Sequence, residues 1–336
     1  MCAIGEGDAV TSVLENTRAL LLNGLRDALA GSSSLSHIVR QHVGIEDAAG
    51  GAVDGAGKLL RPSLVLFVAQ ELGARLDEAL PAAVALELVH NFSLVHDDIQ
   101  DRDRTRRGRP TVWVTHGEAV AINAGDLLYA IAFREIARCG GAAVACLAEA
   151  TIDMVEGQSL DLSFERRFVT IDEYMAMIDR KTGALLRCAF ELGAIVAGAD
   201  DGARRALRDL AMVLGRAFQV QDDVLGIWGD GDVVGKPQGS DVRRRKKSFP
   251  VASAVALAGP ADRCRLEKIY SAEPVAETDV TWVILLMERL GVPAAAAGTV
   301  RETLAQAAGC LGRIQLSATG RGEMDALINY LAGRTK

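Results

Sequence analysis

Aromatic residues make up only 4% of this 336-residue chain, and proline occurs just 8 times. β-Sandwiches and barrels rely on aromatic and β-branched side chains for their half-buried faces. A chain poor in aromatics and proline, with abundant alanine, leucine and valine, instead favours helices packed on helices. An excess of basic charge is also missing, because 37 Lys and Arg stand against 44 Asp and Glu, a net charge of -7. That balance excludes a duplex nucleic-acid binder, which needs a broad basic face.

Cysteine is sparse and unpatterned. The six residues, Cys2, Cys139, Cys146, Cys188, Cys264 and Cys310, form no CxxC pair and lack a close histidine at zinc-ligand spacing. Reduced, mostly buried thiols are expected. The segment Met1-Cys2-Ala3-Ile4-Gly5-Glu6 has no basic stretch followed by an apolar one, and no run of about 20 strongly apolar residues stands out. A cytoplasmic protein without a transmembrane segment is the expectation.

What is present is helical periodicity. Apolar residues recur at helical intervals from Ala9 to Ala30, and Pro62 suits the opening turn of a helix running to Gly73. Pro81 is expected to start another helix, which carries Leu86, Leu88, Val89, Phe92, Leu94 and Val95 into His96-Asp97-Asp98. Further helices are expected over Glu118–Arg138, Ala142–Leu160, Ile171–Val196 and Ala203–Trp228, with several more from Val251 onward. With no fixed-period repeat or low-complexity linker, residues 1–336 read as a single helical domain.

The sharpest local feature is Asp97-Asp98-Ile99-Gln100-Asp101-Arg102-Asp103, four carboxylates in seven residues at the end of an apolar helix. At 3.6 residues per turn Asp97 and Asp101 share a face, with His90 on nearly the same stripe. Like charges so placed repel unless a cation lies between them. A second pair, Asp222-Asp223, follows the apolar run Leu214–Val220. An isolated acidic pentapeptide is usually a solvated helix end. Two copies after apolar helix, with separate Lys and Arg clusters, point instead to hard-oxygen ligands for a partly hydrated Mg²⁺ completed by phosphate oxygens.

Leu94-Val95-His96-Asp97-Asp98-Ile99-Gln100-Asp101 followed by Arg106-Arg107-Gly108-Arg109-Pro110-Thr111 resembles the first aspartate-rich motif of trans-isoprenyl diphosphate synthases. Phe218-Gln219-Val220-Gln221-Asp222-Asp223 resembles the second. Gly57-Lys58-Leu59-Leu60-Arg61-Pro62, Gly157-Gln158 with Asp161, Lys181-Thr182-Gly183, and Gly235-Lys236 followed by Asp241 and Lys246-Lys247 complete the ordered set over roughly residues 50 to 255. The resemblance implies an all-α bundle of long antiparallel helices around a central cavity, usually a homodimer. It also implies a Mg²⁺-dependent transferase joining isopentenyl diphosphate to an allylic diphosphate.

By that resemblance Asp97 and Asp101 would bind two Mg²⁺ ions and Asp222 a third, with Asp98 and Asp223 in support. Arg106, Lys181 and Lys236 would contact the allylic diphosphate, Thr182 and Gln219 would line the same site, and Lys246 would belong to a loop closing over it. Gly57, Lys58, Arg61, His90 and Arg107 match the metal-free isopentenyl diphosphate site, where the arginine fork suits phosphate. Pyrophosphate itself would take the final proton, so no protein base is required.

Phe92, with small Ser93 one turn before Asp97, would form the floor that limits product length. It points to geranylgeranyl diphosphate, with farnesyl diphosphate as the alternative. One position departs from the family pattern: Gly226 stands where the second motif normally has its last aspartate. That change admits a terpene cyclase on the same fold, yet the retained Lys58, Arg61, His90 and Arg107 favour elongation. A non-catalytic partner subunit is a further alternative. A four-helix metal-carboxylate protein would need paired Glu-x-x-His motifs, and that paired pattern is absent.

Overall fold

A computed structural model describes residues 6–229 and 238–332. The described residues form the expected all-α architecture, interrupted by one small hairpin and an isolated bridge between Glu46 and Ala52. They group into two compact units. One comprises Met1–Thr151, Leu185–Arg208 and Gln315–Glu323, and the other comprises Ile152–Ala184, Asp209–Ile314 and Met324–Lys336.

The first unit contains α1 (Glu6–Ala28), α2 (Ser34–Val43), α3 (Leu60–Glu71), α4 (Leu76–Gln100), α5 (Val112–His116) and α6 (Glu118–Ile136). Helix α4 is apolar around most of its circumference, and Ala82 through Val89 are buried without a break because α1, α3 and α6 pack against it. Each large side chain so buried, such as Leu86 or Leu88, contributes about 1.5–3 kcal/mol. This packing fixes the helix that ends in the first acidic motif.

The start of α4 departs from the sequence expectation. The helix begins at Leu76, and Pro81 lies inside it. The Glu78 carboxylate accepts from the Arg75 N–H at 3.3 Å and secures an earlier start. Pro81 is only the sixth helical residue, so its missing N–H costs one hydrogen bond near an end where donors are already unpaired.

After α4 the chain forms a minimal hairpin, β1 (Thr105–Arg106) and β2 (Arg109–Pro110), pairing Thr105 with Pro110 and Arg106 with Arg109. The two turn residues, Arg107 at φ 50° and Gly108 at φ 72°, both adopt positive φ. That is the mirror-image turn whose twist suits two closely paired strands, and it sends Arg106 and Arg107 to different surroundings.

The chain then runs through α7 (Gly141–Phe164), α8 (Ile171–Lys181), α9 (Gly183–Val196) and α10 (Asp201–Trp228). The single helix expected over Ile171–Val196 is in fact α8 and α9, broken at Thr182. In the second unit follow α11 (Ser240–Arg243), α12 (Phe249–Leu257), α13 (Pro260–Ser271), α14 (Glu277–Arg289) and α15 (Val292–Leu311), and the described chain ends in α16 (Ala318–Ala332). One cluster in this unit packs Ile227, Val242, Val251, Leu266, Val283 and Met287, and another packs Tyr174, Ile178, Val220, Phe249 and Val300.

The thiols require a second correction. Among the described cysteines only Cys188 is buried; Cys264 is exposed and Cys139, Cys146 and Cys310 are intermediate, because they sit on or beside helix faces that meet solvent. Among the described residues α4 alone is, as a single helix, long and apolar enough to cross a bilayer, and 67% of that stretch is buried inside the protein. Helices α14 and α15 pass the same test only together, across a 60° bend.

Candidate active site

In the first unit the N-terminal approach to α3 is a tight loop. Gly57 (φ 73°) and Leu59 (φ 50°) take left-handed conformations, and the Arg18 guanidinium donates to the Gly57 carbonyl at 2.7 Å. Lys58 is thereby carried to the surface, and Arg61, the second residue of α3, points inward to place Nη1 3.5 Å from Nε2 of His90 on α4. The Arg107 guanidinium stands beside Gly57, about 3.1 Å from where a side chain there would begin. The five residues assigned to the metal-free diphosphate thus belong to one loop, two helices and the hairpin of a single unit.

The electrostatics of this group are dominated by crowding of positive charge. Burial, then the neighbouring Arg61, Arg107 and Arg106 guanidinium groups, holds the His90 imidazole well below its ordinary range, so it is neutral. Burial, then the guanidinium groups of Arg107, Arg106 and Arg109, bring His42 down to about 3. Arg61 and Arg107 are themselves lowered by burial, with Glu87 the acidic group opposing the shift. Glu87, buried and accepting from Asn91 Nδ2 at 2.8 Å, is pushed up to about 7 by desolvation. Arg61 Nε is buried without a hydrogen-bond partner. A cluster with this much cationic character and an unused donor is built to receive an anion.

The acidic motif lies two turns further along α4. Asp101 caps the helix, its N–H donating to the Asp97 carbonyl at 2.8 Å, which places the two side chains one turn apart as the spacing requires. Asp98 is different. It is 1% exposed and its Oδ1 accepts from Arg106 Nε at 2.7 Å, while its Oδ2 is buried without a partner. Burial pushes its carboxyl up against the opposing pull of Arg106. Arg106 also feels Asp97 and Asp103, so this guanidinium joins the acidic motif while Arg107, one residue on, joins the basic cluster.

Among the described residues no three His, Cys, Asp or Glu side chains come close enough to hold a metal ion alone. The residues nevertheless fit Mg²⁺ bound through a substrate. Two carboxylates one turn apart and an orphaned buried carboxylate oxygen supply hard oxygen donors, and this ion normally leaves the remaining positions to water and phosphate.

The second unit holds the other motif. Adjacent residues of α10 have opposite environments: Asp222 is exposed and Asp223 is fully buried. Asp223 accepts from Tyr174 Oη, from Gln219 Nε2 at 3.0 Å, from Lys246 Nζ at 2.9 Å and from the Phe249 N–H at 2.8 Å. Thr182, at the break between α8 and α9, donates Oγ1 to Gln219 Oε1 at 2.7 Å and so orients the amide that reaches Asp223. Lys181 is paired with Asp161 on α7. Close approach of these helices depends on Gly157, whose Cβ would fall 2.3 Å from the Lys181 backbone nitrogen.

Of the residues expected from sequence, Lys236 lies outside the described residues. The sequence alone marks no role for Glu87 or Tyr174, and none for Asp161 beyond its place in a motif. Their partners are 20 or more residues distant for Tyr174 and Asp161, and no local pattern marks them. Phe92 and Ser93 lie on α4 before the acidic motif. Phe92 contacts Tyr129 on α6 with ring centroids 5.1 Å apart, and Tyr129 in turn contacts Phe133 at 4.9 Å. Ser93 turns its hydroxyl back to the His90 carbonyl at 2.8 Å.

Comparison with known proteins gives a consistent picture. A family model described as polyprenyl synthetase matches residues 44–287. A (2E,6E)-farnesyl diphosphate synthase of Mycobacterium tuberculosis is 39% identical over 306 residues, covering 88% of this chain and 85% of its own. A geranylgeranyl diphosphate synthase of the same organism is 45% identical over 210 residues, covering 61% and 60%. The crystal structure of a polyprenyl synthetase from Streptomyces coelicolor A3(2) superposes with a TM-score of 0.88 at 37% identity, over 96% of this chain and 99% of that one.

Proposed function

The chain belongs to the polyprenyl synthetase family and is a prenyltransferase, and from that premise we propose that it elongates an allylic diphosphate with isopentenyl diphosphate to give geranylgeranyl diphosphate. The observation that carries the proposal is the pairing, within one unit, of a cationic cluster (Arg61, Arg107 and neutral His90) with a carboxylate pair on the same helix. One suits a bare diphosphate and the other a metal-bound one. A cyclase has use only for the second.

In this reading Arg61, Arg107 and Lys58 bind the isopentenyl diphosphate. His90, being neutral, contributes a hydrogen bond rather than another charge. Asp97 and Asp101 would hold two Mg²⁺ ions and Asp222 a third, and bound Mg²⁺ draws charge from the allylic diphosphate and makes it a better leaving group. Arg106, Lys181 and Lys236 stabilise the charge that develops as the carbon–oxygen bond breaks. Asp98 fixes Arg106, and Asp223 fixes Lys246 and Gln219. The released pyrophosphate takes the proton lost after the new carbon–carbon bond forms. The active form is a homodimer in this proposal.

Product length rests on Phe92, backed by Tyr129 and Phe133. The two mycobacterial relatives carry names for products of different length. Incubating the purified chain with Mg²⁺, isopentenyl diphosphate and each allylic primer, then weighing the products by mass spectrometry, decides the matter. A dominant twenty-carbon diphosphate supports the proposal, and a product stopping at fifteen carbons replaces it with the farnesyl alternative. Hydrocarbon release from the primer would indicate a cyclase, and inertness a partner subunit.

A further inference from the structure

Two of the thiols face each other across a pair of helices. Cys146 lies in the second turn of α7 and Cys188 in the second turn of α9, and their Sγ atoms stand 3.9 Å apart. The Cys188 thiol is also directed at the Cys146 carbonyl at 3.9 Å, so it lies against the backbone of α7 and not only against a side-chain tip. Both residues belong to the first unit. They are 42 positions apart in the chain, and no CxxC or similar spacing marks them as a pair.

The pair is packed on one side and reachable on the other. On α7 Ala143, Leu147 and Ala150 are buried, while Cys146, at the border of that stripe, is partly exposed. Cys188 is 1% exposed, and burial pushes its thiol well above its ordinary range. Helix α9 is fixed from a different side by α3, since a Cβ on Gly193 would fall 2.7 Å from the Val65 carbonyl oxygen and from Val68 Cβ. To become a disulfide the two sulfurs must close by roughly 2 Å. Small rotations about the two Cα–Cβ bonds supply that movement without parting the helices.

We propose that Cys146 and Cys188 form an oxidation site, a dithiol that a hydroperoxide converts reversibly into an intrachain disulfide between α7 and α9. Cys146, which solvent reaches, reacts first. Its thiolate attacks a peroxide oxygen and the O–O bond breaks, leaving Cys146 as the sulfenic acid and, from hydrogen peroxide, releasing water. The Cys188 sulfur then gives up its proton, attacks the sulfenic sulfur and expels a second water. Two thiols thus lose two protons and two electrons, and one hydrogen peroxide becomes two waters. The new bond closes a loop that contains Lys181 and Thr182, so oxidation ties down the stretch of chain carrying two residues assigned to the allylic diphosphate. Closing a loop in this way also restricts the unfolded chain and so stabilises the fold. The inference stands independently of the prenyltransferase reading.

The test treats the purified full chain with hydrogen peroxide in slight excess, caps the remaining thiols with an alkylating reagent and maps the unreduced peptides by mass spectrometry, alongside thermal unfolding. The parent should yield peptides joined through Cys146 and Cys188 of a single chain. Its unfolding temperature should rise by about 5 °C and fall back on addition of dithiothreitol. Cys146→Ser and Cys188→Ala should each give neither the link nor the rise. In Cys188→Ala the Cys146 sulfenic acid has no thiol to resolve it and should be trapped by dimedone. If a variant fails to fold, the peptide map of the parent still decides. The proposal is overturned if both thiols of the parent are alkylated after peroxide, or if Cys146 proceeds to the sulfinic acid while Cys188 stays free. A link that forms only in urea or only between chains overturns it as well, as does a linked chain that unfolds at or below the temperature of the reduced one.

Discussion

Asp222 and Asp223 are neighbours in sequence with different jobs, and replacing each by alanine separates them. Asp223 has no solvent exposure and satisfies four donors, among them the Phe249 backbone N–H and the buried Tyr174 hydroxyl. Removing one partner of a buried ion pair costs roughly 3–5 kcal/mol, and each stranded buried donor about 1–3 kcal/mol. These terms overlap. Lys246 keeps Asp241 at 3.7 Å and its side chain is 38% exposed, so solvent screens part of the loss. The expected penalty for Asp223→Ala is therefore about 4 kcal/mol. Asp222 is exposed, and Asp222→Ala should change stability by about 0.5 kcal/mol or less while lowering prenyl transfer by roughly 10²–10³-fold through lost charge stabilisation. Urea unfolding followed by circular dichroism and tryptophan fluorescence reads the first effect. A chain with two compact units need not unfold in one step, so the comparison is between transitions of equal slope. Equal destabilisation by the two variants, or a loss below about 1 kcal/mol for Asp223→Ala, would refute the division of labour.

Other consequences follow from the first unit. Phe92→Ala should lengthen the product by opening the ring stack with Tyr129 and Phe133, and an unchanged product distribution on mass spectrometry would remove Phe92 from that role. Arg61→Gln should raise the KM for isopentenyl diphosphate well above that for the allylic primer, and equal increases in both would argue against a dedicated site. Glu87, raised from an ordinary 4.5 to about 7 by burial, keeps its proton in the folded protein at pH values where the unfolded chain releases it. Its contribution is thus fully present below pH 4.5 and is lost as pH rises toward 7, a difference of about 3 kcal/mol. Glu87→Gln should match the parent near pH 4.5 and exceed its stability by about that amount above pH 7, as measured by denaturant titration across the range.

The helices were legible because their signal is periodic and local, and the carboxylate pair was legible because a spacing of four residues fixes a shared face. The basic cluster was accessible only through resemblance, since Lys58, Arg61, His90 and Arg107 are spread over 50 residues. Three features had no sequence signal. Pro81 reads as a helix start, yet Glu78 and the packing of α4 carry the helix past it. Asp98 reads like its neighbours, but its direction off the helix buries it against Arg106. Asp241 reads as one member of a distant motif, and only folding brings it to Gly226. In each case tertiary contact decides what local spacing leaves open.

The central claim is that this chain consumes isopentenyl diphosphate, and the most direct test is to follow labelled isopentenyl diphosphate in the purified protein with an allylic primer, before and after chelation of Mg²⁺. Transfer of label into a longer diphosphate, abolished by chelation and restored by added Mg²⁺, is the predicted result. An allylic diphosphate that is turned over while the labelled isopentenyl diphosphate remains untouched would contradict it.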